Sequence, residues 1–188
     1  GTIVINNPAG VTFSAFIGAG GSGSNVAAIN IGTVDGANSS ATFGTVATFG
    51  TAAWTLGNGG TTADTITLNF DSTTTAITAV AGTITGNTTD TEVINIIDSS
   101  AGGAANTVTF AEAIATVDTI AVGSTTDEGG AAFSASVTAT NLTVNAGGVA
   151  SETGVVSFAS GTTATITNIT VTGGAAAANQ DSTITVTD

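Results

Sequence analysis

Apolar and polar residues alternate with a period of two along most of the chain. The alternation is clear in residues 2–5, 11–17, 64–70, 91–97, 107–110, 118–122, 141–144, 155–158, 163–172 and 182–187. A period of two is the spacing of side chains on one face of an extended strand. Turn-forming clusters separate the runs: Gly20-Gly21, Asn58-Gly59-Gly60, Gly102-Gly103, Gly129-Gly130, Gly147-Gly148 and Gly173-Gly174. Thr, Val and Ile abound, Leu and Glu are scarce, and Lys and Arg are missing, so helix propensity is low. The alanine run at 175–178 is too short to nucleate a helix. The pattern predicts an all-β chain of about 12–16 short strands.

The runs are partly regular in spacing. Asp64-Thr65-Ile66, Asp90-Thr91-Glu92-Val93 and Asp118-Thr119-Ile120 open similar strands, 26 and then 28 residues apart. Leu142, Ile166 and Ile184 continue the series at spacings of 24 and 18. Secondary strands at Ile77, Val108, Phe133, Val155 and Ile169 fall between them. Two or three short strands per repeat of roughly 20–28 residues is the rhythm of a β-solenoid. A β-sandwich is the alternative and a barrel the third choice. Residues 1–60 are less regular and read as an N-terminal cap or subdomain, and residues 61–188 read as a repetitive β-rich domain. The soft boundary lies in residues 56–62. The first part holds Phe13, Phe16, Phe43, Phe49 and Trp54. The expected inward-facing residues are Ile66, Leu68, Phe70, Val93, Ile120, Val122, Leu142, Val144, Val155, Ile166 and Ile184.

Composition narrows the function. The 188 residues are 41% hydrophobic, which suits a packed core rather than a disordered chain. There are 13 acidic residues and no Lys, Arg or His, for a net charge of −13. Without basic residues there is no grip on phosphate, so nucleic-acid binding is excluded as an expectation. Without His or Cys there is no zinc site of the usual kind, no Ser-His-Asp triad and no thiol nucleophile. No apolar run approaches the length of a membrane-spanning helix. The chain opens with neither Met nor a charged leader, so it is expected to start after processing or to be a piece of something longer.

The strings Thr91-Glu92-Val93-Ile94-Asn95-Ile96, Asn106-Thr107-Val108-Thr109-Phe110 and Asp118-Thr119-Ile120-Ala121-Val122-Gly123 carry a family resemblance. They resemble the Thr-, Ala-, Gly- and Asn-rich surface-layer proteins of Gram-negative bacteria. That resemblance implies type I export and assembly with calcium. Gly59-Gly60-Thr61-Thr62-Ala63-Asp64-Thr65-Ile66-Thr67 also resembles one degenerate RTX nonapeptide, departing from it at Thr62 and lacking tandem copies. Residues 163–174 are similar in flavour to autotransporter solenoid passengers. The resemblance spans roughly residues 59–188.

Carboxylates are the only titratable side chains, so candidate chemistry rests on them. Paired acids can cleave glycosidic bonds. Asp90 with Glu92 and Asp127 with Glu128 are such pairs, but they read as solvated edges or turns, and the sugar-binding side chains are missing. No enzymatic activity is expected. Calcium needs six to eight oxygens, which Asp, Asn, Thr and Gly turns supply. Asp64, Asp90, Asp127 and Glu128 are the named candidates, within a wider set that includes Asp71, Asp98 and Asp118. The competing reading is that each Asp caps its own turn. Asn-X-Ser/Thr triplets at Asn38, Asn87, Asn141 and Asn168 match by chance in so Thr-rich a chain. The Phe residues read as core, and Trp54 as core or interface.

The expected function is structural: an extracellular, cell-surface protein that assembles with copies of itself into a layer, sheath or filament. Anchoring to surface polysaccharide would fall to parts outside this chain. The alternatives are an adhesin or autotransporter passenger spacer, and a donor-strand pilin that exchanges residues 1–6.

Overall fold

The structure is a computed structural model that describes residues 1–14, 26–44, 53–73, 76–100, 105–148, 151–173 and 180–187. These residues form strands and turns without helix. The strands are β1 (Thr2–Ile5), β2 (Val11–Phe13), β3 (Ala28–Ile31), β4 (Ser39–Phe43), β5 (Ala53–Leu56), β6 (Thr65–Asp71), β7 (Ile77–Val80) and β8 (Ile84–Thr85). They continue as β9 (Thr91–Ile97), β10 (Thr107–Phe110), β11 (Ile114–Val122), β12 (Gly129–Phe133), β13 (Val137–Asn145), β14 (Gly154–Phe158), β15 (Ala164–Thr172) and β16 (Ser182–Val186).

Every named strand pairs in parallel with its counterpart one turn away, and the chain winds as a β-solenoid of about six turns. The first face holds β1, β3, β5, β8 and the starts of β11, β13 and β15. The second holds β2, β4, β6, β9 and the ends of β11, β13 and β15. The third holds β7, β10, β12, β14 and β16. In early turns a corner loop separates the first two faces. From β11 onward one strand runs through the corner, which merges both faces into a single 11-stranded sheet. The change is marked by a register shift between Ile114 and Val117, and Thr116 there has φ of 58°. That is a costly value for a β-branched residue.

Stacking in register turns sequence alternation into columns. Val11, Ala41, Leu68, Ile94, Ile120, Leu142 and Ile169 form one column on the second face, and Phe13, Phe43, Phe70, Ile96, Val122, Val144 and Val171 form the next. On the third face Phe110, Phe133 and Phe158 stack with ring centroids 5.2 Å apart at each step. Trp54 stands edge-on to Phe43 and donates its indole N–H to Ala81 O at 3.0 Å. Apart from the exposed last-turn residues Ile169 and Val171, these residues and their aliphatic neighbours make one continuous core, where full burial of a large side chain contributes roughly 1.5–3 kcal/mol. Phe16, Phe49 and the 175–178 run lie outside the described residues.

The inward rows differ from expectation at two places. In β9 Glu92, Ile94 and Ile96 are buried while Val93 is only half-buried, and in β14 Val156 is buried while Val155 is 38% exposed. Strict alternation fixes the period but not the phase, and both strands carry apolar residues in both phases. Ile166 and Ile184 are only partly buried because they lie in the last turn. Ile184 also belongs to the third face, paired with Val156, so its spacing of 18 from Ile166 separates two faces rather than two turns. Described strands of residues 1–60 pair into the same sheet as the later ones, and β4 pairs with β6 across residues 56–62.

Candidate functional site

The acidic residues collect at the corners, where the backbone turns between faces and cannot complete its ladders. At the corner between the first and second faces they join consecutive turns. Asp35, exposed, accepts from Thr62 N at 2.9 Å and from the Thr61 hydroxyl at 3.0 Å. Those bonds hold its carboxyl below the usual range. Asp64 accepts from Gly36 N at 2.8 Å, and Asn38 accepts from Thr65 N at 2.8 Å. Asp90 gathers Asp64 N, Asn58 N, Gly59 N and the Asn87 amide at 2.9–3.3 Å. Burial opposes ionisation of Asp90, but these four donors together hold its carboxyl below the usual range. Gly57 (φ +79°) lies beneath it, and a Cβ there would overlap Asn87 Nδ2 and Asp90 Oδ2. Asp118 accepts from Glu92 N at 3.1 Å, and Asn141 and Asn168 extend the series upward.

Glu92 is fully buried in this corner. Its Oε1 accepts from Asn87 N at 2.9 Å and its Oε2 has no partner. Burial, with the nearby charges of Asp118 and Asp90, raises its carboxyl to about 7. Outside the same corner a groove of about 320 Å³ is lined by Asn87, Thr88, Thr116, Asp118, Thr138 and Thr140, among others.

The corner between the second and third faces holds a second set. Asp98 accepts from Asn106 N at 2.7 Å and from Ser100 N at 3.0 Å. Glu128 is fully buried; its Oε2 accepts from Thr153 N at 3.3 Å and its Oε1 has no partner. Burial raises its carboxyl, and Asp98 and Glu152 add to the effect. Glu152 accepts from Gly148 N at 2.6 Å. Asp127 accepts from the Ser124 and Thr126 hydroxyls at 3.0 and 2.6 Å.

The structure therefore brings Asp64 and Asp90 into direct connection and places Asp127 and Glu128 at a different corner. Asp90, Glu92 and Glu128 are buried, not solvated edges. Among the described residues no group of three or more acidic side chains is arranged to hold a metal ion. What these carboxylates visibly do is accept hydrogen bonds from corner N–H groups, often one turn away. The local bonds of Asp98, Asp127 and Glu152 fit the turn-capping reading, but sequence reading missed the bonds between turns because the partners of Asp64, Asp90 and Asp118 lie 26–32 residues away; the recurring Asp-Thr strand opening was their only trace. Comparison with family models, curated proteins and solved structures finds no match to this chain. No helix among the described residues is long and apolar enough to cross a membrane.

Proposed function

We propose that this chain is an extracellular structural module that assembles with its own copies into a surface layer, sheath or filament. The observation that carries this reading is the incomplete burial at both ends of the solenoid. Ile29, Ile31, Ala41 and Phe43 are buried in the second turn; of their column partners in the first, Ile5 is buried, but Ile3, Val11 and Phe13 are only partly buried. At the other end Ile169, Val171 and Val186 are 57%, 49% and 72% exposed. Parallel strands with apolar rows that no described strand covers invite further strands, and the usual protection by Lys is missing.

Thirteen negative charges without a basic residue make contacts between copies repulsive. Assembly then depends on neutral strand contacts or on divalent ions shared between subunits, with the loop acid Asp127 a candidate oxygen donor. Electron microscopy of the purified protein should show ordered polymers that tighten in millimolar Ca²⁺ and loosen in chelator or at low ionic strength. Polymers indifferent to all three conditions remove the bridging ion and leave neutral strand pairing. Dispersed single particles under every condition refute self-assembly.

A further inference from the structure

We infer that copies stack head to tail, with β15 of one copy pairing in parallel with β1 and β2 of the next, so that the solenoid continues across the junction. The inference rests on the self-assembly reading above and specifies its geometry. The columns decide the register. Ala164 ends the first-face row that Ile3 begins, and Ile5 and Ile166 stand two residues further along the same strands, while Ile169 and Val171 end the second-face rows that Val11 and Phe13 begin. Placing the first turn on the last therefore sets aliphatic or aromatic residues on aliphatic ones, as the steps of the two second-face columns do inside the solenoid. It also covers the open hollow of about 310 Å³ lined by Phe158, Ala164, Ile166, Ile169, Ile184 and Val186 at the C-terminal end.

Charge points the same way. β1, β2, β15 and β16 contain no acidic residue, so the strands that would pair are themselves neutral on a chain of net charge −13, with the exposed Asp181 just before β16 the nearest described acid at that end. The corners differ, since residues 6–10 loop between β1 and β2 whereas β15 runs straight through. The chain already stacks these two corner types, in the opposite order, where β11 pairs with both β8 and β9. Because the two contacting surfaces are different, the contact is heterologous and propagates into a filament rather than closing as a dimer.

Cysteine pairing tests the register on a background free of thiols. Thr12 and Thr170 are exposed and share an outward column, and Val4 and Thr165, also exposed, each stand one residue past the ends of the Ile3–Ala164 row. Neighbouring strands lie about 4.8 Å apart, within disulfide reach. Mixing the Thr12→Cys and Thr170→Cys variants under mild oxidation should give a covalent heterodimer, and the Val4→Cys and Thr165→Cys pair should do the same. Neither variant alone should cross-link, nor should Thr12→Cys with Thr138→Cys, which lies in the penultimate turn. Ile169→Asp should abolish assembly while lowering the unfolding temperature of the dispersed chain far less than Val156→Asp does. Self-linking of Thr170→Cys, or polymers that form without either mixed pair, overturns the head-to-tail stack and leaves self-assembly standing. Failure of the wild-type chain to polymerise at all defeats both.

Discussion

Glu92 occupies the inward row of β9, where its charge state sets its cost. Its carboxyl titrates near 4.5 when unfolded and about 7 when folded. The folded state therefore holds the proton more tightly, and stability falls as pH rises from about 4.5 to 7. At roughly 1.4 kcal/mol per pH unit the penalty above pH 7 reaches about 3 kcal/mol. Glu92→Gln keeps the shape and the acceptor for Asn87 N. It should raise stability by about 1–3 kcal/mol at pH 8 and change little at pH 4, read by denaturant titration at both values. A variant less stable than wild type at pH 8 would contradict the burial argument. Asp90 has the opposite sign. Its carboxyl is held below the usual value, so it stabilises above about pH 4, and that contribution fades as acid protonates it. Asp90→Ala strands three corner N–H groups and should cost about 2–4 kcal/mol at pH 7. The loss should shrink at low pH.

At the scale of the strand, alternation revealed which segments are extended, and the spacing of Asp64, Asp90 and Asp118 revealed the solenoid repeat. The phase of a strand was legible only where one phase is clearly apolar, as in Ile66, Leu68 and Phe70. In β9 the inward phase of Glu92, Ile94 and Ile96 competes with Val93, Asn95 and Ile97, and a buried Glu is the less expected choice. In β14 Val155 and Val156 are interchangeable to any sequence rule, and only pairing with Ala131 and Ile184 selects Val156. Corner hydrogen bonds were illegible for a related reason, because register between turns decides which N–H a carboxylate meets. The phase is directly testable. Val156→Asp should cost several kcal/mol because it buries an unpaired charge, whereas Val155→Asp should stay within about 1 kcal/mol of wild type. Thermal unfolding of the two variants separates them, and equal losses would refute the assigned phase.

Over the whole molecule, each turn contacts mainly the turn before and the turn after, so stability is quasi-one-dimensional. The middle turns have partners on both sides, while the last has one. An identical truncation should therefore cost more in the middle: Ile120→Ala about 2–5 kcal/mol, and Ile169→Ala well under half of that. Amide exchange should follow the same gradient. In β9 the backbone groups pointing either way along the solenoid meet a neighbouring strand, β6 on one side and β11 on the other. In β15 only one set meets β13, and the other faces away from the stack. In the dispersed chain, alternate amides of β15 should exchange rapidly while all those of β9 remain protected. On polymerisation the fast set in β15 should slow toward the values of β9, together with the outward-facing groups of β1. If protection appears instead along the outward Thr rows with β15 still fast, copies associate side by side, and the ends of the solenoid are not the contact.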